Sequence, residues 1–545
     1  MGIRERVKES ITNWSRFQFI LKVFARHGFS SLVKELGIPF SAGSTSDGKP
    51  PLSPAQNLRL AFEELGPTFI KLGQILSTRP DLLPPAYIEE FSKLTDRIPA
   101  FSFAEVEKIL HQQFGGHFQE LFESIEESPI AAASISQVHR ARLRAGSRAV
   151  VIKIQRPGII EDIESDIQIL YFLSRGLEKV NEDLRLFNLS GIIEEFQKSI
   201  YEELDFSLEA KNLEAFAKQI DADSSVIVPQ VIWEASSQKV LTMTEIEGTS
   251  LSQLKDWPSS INREALADSL AQFFLEGMFF HGLFHCDAHA GNLILVEQDQ
   301  GRIGLVDFGM VGRMGPELRD KMSKLFISLV SQDFENLALN YAGIAEVGKE
   351  FSLRDFKTSL EKLFAPNLSK PLGEVDVGQM MMDSIEIARR NQIKPPRDLI
   401  LFYRSLVTLE AAGRLIDPQF DFIKFGTRFS KILIQRRFSS DNLKKDLFRA
   451  LEGLFILGTE IPTQLKGLLY RIETDNLFPQ FSRLEESVKE FKRSHQILSL
   501  AIVLFGMLLS SSILSQNPSY EVLPLILWSV TGLVGIFFLI RLIKR

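Results

Sequence analysis

Asp287, Asn292 and Asp307 are the residues whose types and spacing most directly suggest chemistry. The run His285-Cys-Asp-Ala-His-Ala-Gly-Asn292 sets a carboxylate and a carboxamide five residues apart, and Asp307-Phe-Gly309 begins fifteen residues after Asn292. Phosphoryl transfer needs one carboxylate beside the attacking oxygen, here Asp287. It also needs an amide oxygen and a second carboxylate, Asn292 and Asp307, to hold Mg²⁺ against the phosphates of ATP. The segments Leu293-Ile-Leu-Val and Arg302-Ile-Gly-Leu-Val are short and apolar, with a turn at Glu297-Gln-Asp-Gln-Gly301 between them. They predict a hairpin that brings Asn292 beside Asp307. Either fragment alone is common; in this order on one hairpin they define a nucleotide–metal site. The single cysteine, Cys286, belongs to this loop rather than acting as a nucleophile, which would want a base partner.

Such a site must be positioned by other elements. The spacing H-x-D-x-x-x-x-N followed by D-F-G is that of a kinase catalytic loop and its metal motif, so strands carrying a phosphate-binding lysine should precede it. Residues 129–154 provide them, as two alternating strands around a turn near Ala145-Gly-Ser147. Lys153 ends the run Ala149-Val-Val-Ile-Lys at the place of the lysine in V-A-I-K. The covering loop, where glycines are expected, is Ala131, Ala132, Ala133 and Ser134. Alanine lacks glycine's easy access to positive φ, so this loop should be stiffer. A helical region follows over about 158–218, with Glu203, Asp205 and Glu209 as acids for one lysine. Glu209 is the best partner for Lys153, which requires inserted helices between strand and glutamate. Val226-Ile-Val-Pro and Lys239 to Gly248 read as the remaining strands of this lobe. Thr244-Glu-Ile-Glu-Gly248, including Glu245, reads as a hinge whose backbone could bond adenine. After Gly309 only six residues precede Pro316, which excludes a long peptide-docking segment. Residues 316–440 are helical by period.

Upstream, Pro67 can start a helix that places Lys71, Gln74 and Thr78 on one face. Pattern alone assigns this face no function and reads it as solvent-exposed. Ile11, Trp14, Phe17, Ile20, Leu21 and Phe24 follow helical spacing within 4–36, reading either as a helix on a membrane surface or as one packed on its own domain. The chain has 545 residues, enough for two or three domains. Its net charge of −7 does not suggest nucleic acid, and its one cysteine excludes an internal disulfide. No signal peptide is evident, since Arg4, Arg6 and Lys8 precede no apolar run. Near the end, 497–514 and 522–540 are uncharged apolar runs close to the ~20 residues that span a bilayer. Lys489, Lys492 and Arg493 before them, and Arg541, Lys544 and Arg545 after, place both ends in the cytoplasm.

These motifs together resemble the UbiB/AarF/ADCK family of atypical protein-kinase-like proteins, over about residues 50–440, with the terminal hairpin similar to bacterial UbiB. The family's K-x-G-Q appears as Lys71-Leu-Gly-Gln74, its alanine-rich loop as Ala131–Ser134 and its E-x-D as Glu203-Leu-Asp205. Ser136 stands where the family often has glycine. The resemblance implies an α+β, bilobal kinase-like fold with an N-terminal helical extension. The expected divisions are 1–45 amphipathic helix, 46–125 K-x-G-Q extension, 126–248 N-lobe, 249–440 helical C-lobe, 441–496 amphipathic linker and 497–545 transmembrane hairpin. It implies that the K-x-G-Q helix covers the site, Lys71 pairing with Glu203, Lys153 with Glu209, and Gln74 pointing inward. Expected from it are ATP and Mg²⁺ as cofactors, ATPase or phosphotransferase chemistry, and membrane lipids, quinone precursors and quinone-biosynthesis proteins as partners. The expected location is the bacterial inner membrane, with the kinase-like domain in the cytoplasm. Rival readings are a small-molecule or lipid kinase and a nucleotide-binding scaffold without turnover.

Overall fold

The computed structural model describes residues 13–31, 52–77, 83–94, 98–180, 185, 188–220, 224–297, 301–368, 376–437, 529 and 532. The chain divides into two units, 1–436 and 437–545, and nearly all described residues lie in the first. The expected linker 441–496 and both apolar runs, 497–514 and 522–540, fall outside the described residues apart from Ser529 and Gly532. Among the described residues, no helix is long and apolar enough to cross a membrane.

The extension consists of α1 (Trp14–Phe24), α2 (Pro54–Leu65), α3 (Pro67–Ser77) and α4 (Pro85–Phe91). Ser53 and Gln56 form a capping box that starts α2 with Pro54 in its first turn. Gly66, at φ +94, separates α2 from α3 in a conformation costly for any residue with a Cβ. Phe17, Ile20 and Leu21 of α1 are buried against Phe62, Phe69 and Leu72 of the next two helices. The α1 stripe therefore packs on its own domain, which decides between the two readings of that periodicity.

The next elements are α5 (Phe103–Phe114), α6 (Phe118–Leu121), β1 (Phe122–Ile125), β2 (Ala131–Ala132), β3 (Ser136–Leu143) and β4 (Ala149–Gln155). Then come α7 (Ile159–Val180), α8 (Leu189–Leu204), α9 (Phe206–Ala217), β5 (Val226–Ile227) and β6 (Val240–Thr244). The antiparallel sheet runs β1-β3-β4-β6, with β2 added on β3, and begins at Phe122, just before the expected lobe boundary. Its period of two decides where Lys153 points. Val150, Ile152 and Ile154 join the core under α5, while Val151 and Lys153 take the opposite face. The inserted helices α7 and α8 share a core with the extension, through Ile163, Ile167, Phe196 and Ile200.

One strand assignment needs correction. Val226–Ile227 does not join this sheet; β5 pairs in parallel with the strand Arg302–Leu305 of the other lobe. Two residues of Val and Ile carry strand propensity without specifying a partner. The second sheet runs β5-β10-β9-β7, with β7 at Thr249–Ser250, β9 at Leu293–Val296 and β10 at Arg302–Leu305. Ahead of β9 lie α10 (Arg263–Glu276) and β8 (Leu283–His285). After β10, β11 (Val311–Arg313) pairs back onto β8, so the short segment after Gly309 is fastened to the catalytic loop. The remainder is mostly helical, as expected, with α11 (Pro316–Val330), α12 (Phe334–Ala342), α13 (Leu353–Leu368), α14 (Val377–Arg390), α15 (Arg397–Ile416) and α16 (Phe422–Arg437), and one short antiparallel pair, Glu346–Val347 with Ile393–Lys394.

Candidate active site

The β9–β10 hairpin has Leu293 opposite Leu305, and the Val306 N–H donates to the Asn292 carbonyl at 3.2 Å. Asn292 and Asp307 are thereby adjacent across the open end of the hairpin. The Asn292 amide nitrogen donates to the Asp287 carbonyl at 3.0 Å, which leaves the amide oxygen as its cation-binding atom. One Asp307 carboxylate oxygen accepts the Gly309 N–H at 2.9 Å, and the other lies 3.4 Å from the Lys153 ammonium. Burial alone would raise the Asp307 carboxyl, but the Lys153 charge and the Gly309 N–H outweigh it and hold it well below the usual carboxylate range. The carboxylate still has 45% of its surface open to solvent. An ionised, accessible carboxylate beside an amide oxygen is an oxygen donor pair suited to Mg²⁺, which keeps several waters and takes few protein ligands. Among the described residues there is no cluster of three or more His, Cys, Asp or Glu able to hold a metal. A two-donor site completed by phosphate oxygens needs no such cluster.

Lys153 is the centre of the charge network. Its ammonium donates to both Glu209 oxygens, at 2.9 and 2.8 Å. Glu209 lies on the buried stripe of α9 among Phe206, Ala210, Leu213 and Phe216, where a carboxylate needs a partner to be tolerated. Burial raises its pKa while the Lys153 charge pulls it back. For Lys153, burial alone would lower the pKa; Asp307 and Glu209 more than reverse this, so the ammonium stays protonated. The Phe308 N–H also reaches Glu209, at 3.4 Å. The Phe308 ring is buried against Phe216, centroids 5.1 Å apart, fixing Asp307-Phe-Gly309 to the helix that carries Glu209.

Several partners were not legible in the sequence. Arg404 of α15 donates to an Asp287 carboxylate oxygen at 2.9 Å. It is a lone cation within the apolar run Leu399 to Leu406, and that isolation was the available signal. His285 accepts the Asp287 N–H through Nδ1 at 3.1 Å; Nε2 therefore carries the proton and donates to the Asp307 carbonyl. Burial lowers its pKa, so it serves as a neutral brace between the two acidic loops. Ser405 donates to the His285 carbonyl at 2.6 Å. Cys286 is fully buried, and burial pushes its thiol up to about 12, which suits packing rather than reactivity.

The extension reaches this network. Lys71 of α3 lies 3.1 Å from Glu203 near the end of α8, with only 15% of its side chain exposed. Its positive charge also contributes to lowering the pKa values of Lys153 and Asp307. The expectation of a solvent-facing stripe is thus corrected: an ion pair, not water, satisfies this lysine. Gln74 donates to the Leu94 carbonyl at 3.3 Å. Thr78 lies outside the described residues. Asp205 caps α9 by accepting the Ser207 N–H at 3.0 Å, an N-cap role that anchors the helix bearing Glu209.

The covering loop differs from its expected form. Ala131 and Ala132 are strand β2, paired with Gln137 and Val138, leaving a tight turn at Ala133–Ile135. Ala133 N–H donates to the Ser136 carbonyl at 2.8 Å and Arg156 N–H to the Ile135 carbonyl at 2.8 Å. Ser134 is fully buried and its hydroxyl has no hydrogen-bond partner. Glu245 follows β6, but its carboxylate accepts from Arg140 at 2.7 Å and its N–H is spent on the Ala149 carbonyl. Neither group of Glu245 is therefore available to adenine.

A lysine–glutamate pair, a catalytic-loop aspartate and a metal-type asparagine–aspartate couple in this order define an atypical kinase-like protein. Residues 93–341 match the ABC1 atypical kinase-like domain and 360–421 the UbiB helical domain. A Pseudomonas fluorescens protein named "Probable protein kinase UbiB" is 33% identical over 408 residues, covering 74% of this chain and 76% of that one. A Pseudomonas putida protein of the same name is 30% identical over 449 residues, covering 80% and 83%. The chain belongs to the UbiB family. A solved Mycobacterium tuberculosis structure, the complex of Rv3197 with erythromycin, aligns at 26% identity and TM-score 0.47 over 63% of this chain and 87% of that one.

Proposed function

We propose that this protein is a membrane-anchored, Mg²⁺-dependent ATPase or phosphotransferase supporting the biosynthesis of ubiquinone or a related quinone. The observation that carries the catalytic part is the convergence of Glu209 and Asp307 within 3.4 Å of the Lys153 ammonium, with Asn292 and Asp287 adjoining. In this reading Lys153 holds nucleotide phosphates and Glu209 orients it. Asn292 and Asp307 hold Mg²⁺, which neutralises charge on the phosphates. Asp287 positions the attacking water or hydroxyl, its own carboxylate steadied by Arg404. Ala131–Ser134 cover the phosphates. The quinone pathway and the lipid-like precursors come from the family resemblance. Anchoring rests on the apolar runs 497–514 and 522–540, whose flanking bases favour a bacterial inner membrane with the kinase-like domain in the cytoplasm. Movement of the 50–100 region on nucleotide binding would then present precursors to biosynthetic enzymes.

The brief segment between Gly309 and Pro316, held by β11 on β8, favours a lipid or small-molecule acceptor as a second reading. The test is phosphate release from Mg-ATP by the full chain, with and without anionic liposomes, beside Asp307→Asn. Liposome-stimulated release that falls by about 10²–10³ in the variant is expected. Equal release by both proteins would end the metal assignment. Transfer of label to a prenylphenol rather than to water would select the second reading.

A further inference from the structure

A second polar cleft lies on the N-lobe, outside the residues assigned to nucleotide. It has a volume of about 220 Å³, between α5 and the junction of β4 with α7. Lys108, Arg156 and Lys239 converge on it, with Gln112 and Gln155. On this measure one water needs about 10–15 Å³, so the cleft has room for a phosphate-sized polar ligand.

Its charges are unequally committed. Among the described residues, no carboxylate lies in ion-pair contact with any of the three cations. The Arg156 guanidinium spends Nη2 on two backbone carbonyls, Pro99 at 3.0 Å and Ala133 at 3.3 Å. Its Nε is buried without a hydrogen-bond partner, a state that costs free energy until an acceptor arrives. Of the two acids in the lining, Glu105 accepts from Ser102 N–H and Oγ at 3.2 and 3.1 Å through one oxygen, and its charge favours the Arg156 guanidinium without an ion-pair contact. Glu161 sits exposed in the first turn of α7. Gln155 is committed, its amide donating to the Leu204 carbonyl at 2.8 Å. The three cations outnumber the two acids, and this excess of positive charge suits a phosphate oxygen better than a neutral ligand.

We infer that this cleft binds a phosphate group and, through Arg156, steadies the Ala133–Ile135 turn. The link is direct. Arg156 holds that turn at both ends, through Nη2 to the Ala133 carbonyl and through its own N–H to the Ile135 carbonyl. A phosphate accepting from Nε and from the two lysines fixes the guanidinium in the orientation that braces the turn. Occupancy therefore tightens nucleotide binding, by an amount typical of coupled sites. Phosphate binding itself stands independently of the nucleotide reading.

The experiment uses the full chain in detergent and inorganic phosphate followed by ³¹P line broadening, with and without saturating Mg-ADP. The comparison is the double variant Lys108→Gln/Lys239→Gln, whose positions lie outside the nucleotide machinery. Broadening that persists under Mg-ADP and needs about tenfold more phosphate in the variant is expected. Broadening that Mg-ADP abolishes, or that the variant retains unchanged, overturns the site. For the coupling, phosphate should tighten ADP at least about fivefold in the native chain and not in the variant; equal ADP affinity with and without phosphate overturns it. Co-sedimentation with phosphatidylglycerol rather than phosphatidylcholine vesicles identifies the source. Loss of that preference in the variant assigns a lipid headgroup, and an unchanged preference beside lost phosphate binding assigns free phosphate.

Discussion

Two lysine–glutamate pairs in this protein use the same groups at nearly the same distance. Lys153–Glu209 closes at 2.8 Å and Lys71–Glu203 at 3.1 Å. Their settings differ. Glu209 is only 6% exposed and is surrounded by the apolar stripe of α9, with Asp307 as a second anion near the same lysine. Glu203 is 18% exposed and near the end of α8, where it meets a helix of the extension. A buried pair is costly to break because the survivor is an uncompensated charge. The Lys71–Glu203 pair, 15% and 18% exposed, has a carboxylate nearer to water, which can replace a lost partner more readily. The first pair can therefore define a site, while the second can act as an adjustable tie.

The largest effect that sharpens this contrast is at the buried pair. Lys153→Met should cost about 3–5 kcal/mol in urea unfolding, and Lys153→Met/Glu209→Leu should recover much of it by removing the stranded carboxylate. A double variant no more stable than the single would show that Glu209 is already accommodated without its lysine. Next in size is the packing beneath Lys71. A Cβ on Gly73 meets Leu94 Cδ1 at 2.3 Å and Phe62 at 3.0 Å, so Gly73→Ala should cost about 1–3 kcal/mol through overpacking. Lys71→Met should cost only about 0.5–1 kcal/mol, with amide exchange in α3 faster by about fivefold at most and the Lys153 pair intact. A loss as large as that of Lys153→Met would erase the distinction between the two pairs.

Acid also separates the regions. A carboxyl held below its ordinary pKa adds stability above that ordinary value, near 4, and loses it as pH falls through the folded value. Asp307 is such a group. The native chain should thus lose stability below about pH 4 more steeply than Asp307→Asn, in melts taken at a series of pH values. For Lys153, raised above its ordinary value, the contribution is complete at neutral pH and is lost only in strong base.

The same contrast explains what could be read from the sequence. The β9–β10 hairpin and the catalytic loop were legible because their partners are local and two short apolar runs flank a polar turn. Lys153 was legible because alternation along β4 fixes its face. Glu209 was ambiguous among three acids, since α7 and α8 intervene over the 56 residues separating it from Lys153. Spacing makes it the best candidate, and resemblance accounts for the surplus acid Glu203 by pairing it with Lys71. Lys71 was misread as solvated because a helix face shows polarity but not its distant partner. Arg404 lies 117 residues from Asp287, and no local pattern couples them. The alanine turn was read as a loop because Ala has weak strand preference, yet pairing with β3 overrides it.

The smallest effect tests the exposed end of the scale. Arg140 and Glu245 also form a charged hydrogen bond, at 2.7 Å, but half of the arginine side chain is open to water. The bond raises the arginine pKa without making the contact strong, because solvent and salt compete for both groups. Glu245→Gln should therefore change unfolding free energy by no more than about 0.5 kcal/mol. It should also leave nucleotide affinity within about twofold, since the carboxylate faces Arg140 and is engaged by it. A large loss of affinity with unchanged stability would mean that the carboxylate itself reads the nucleotide. The hinge, rather than either lysine pair, would then set base selectivity.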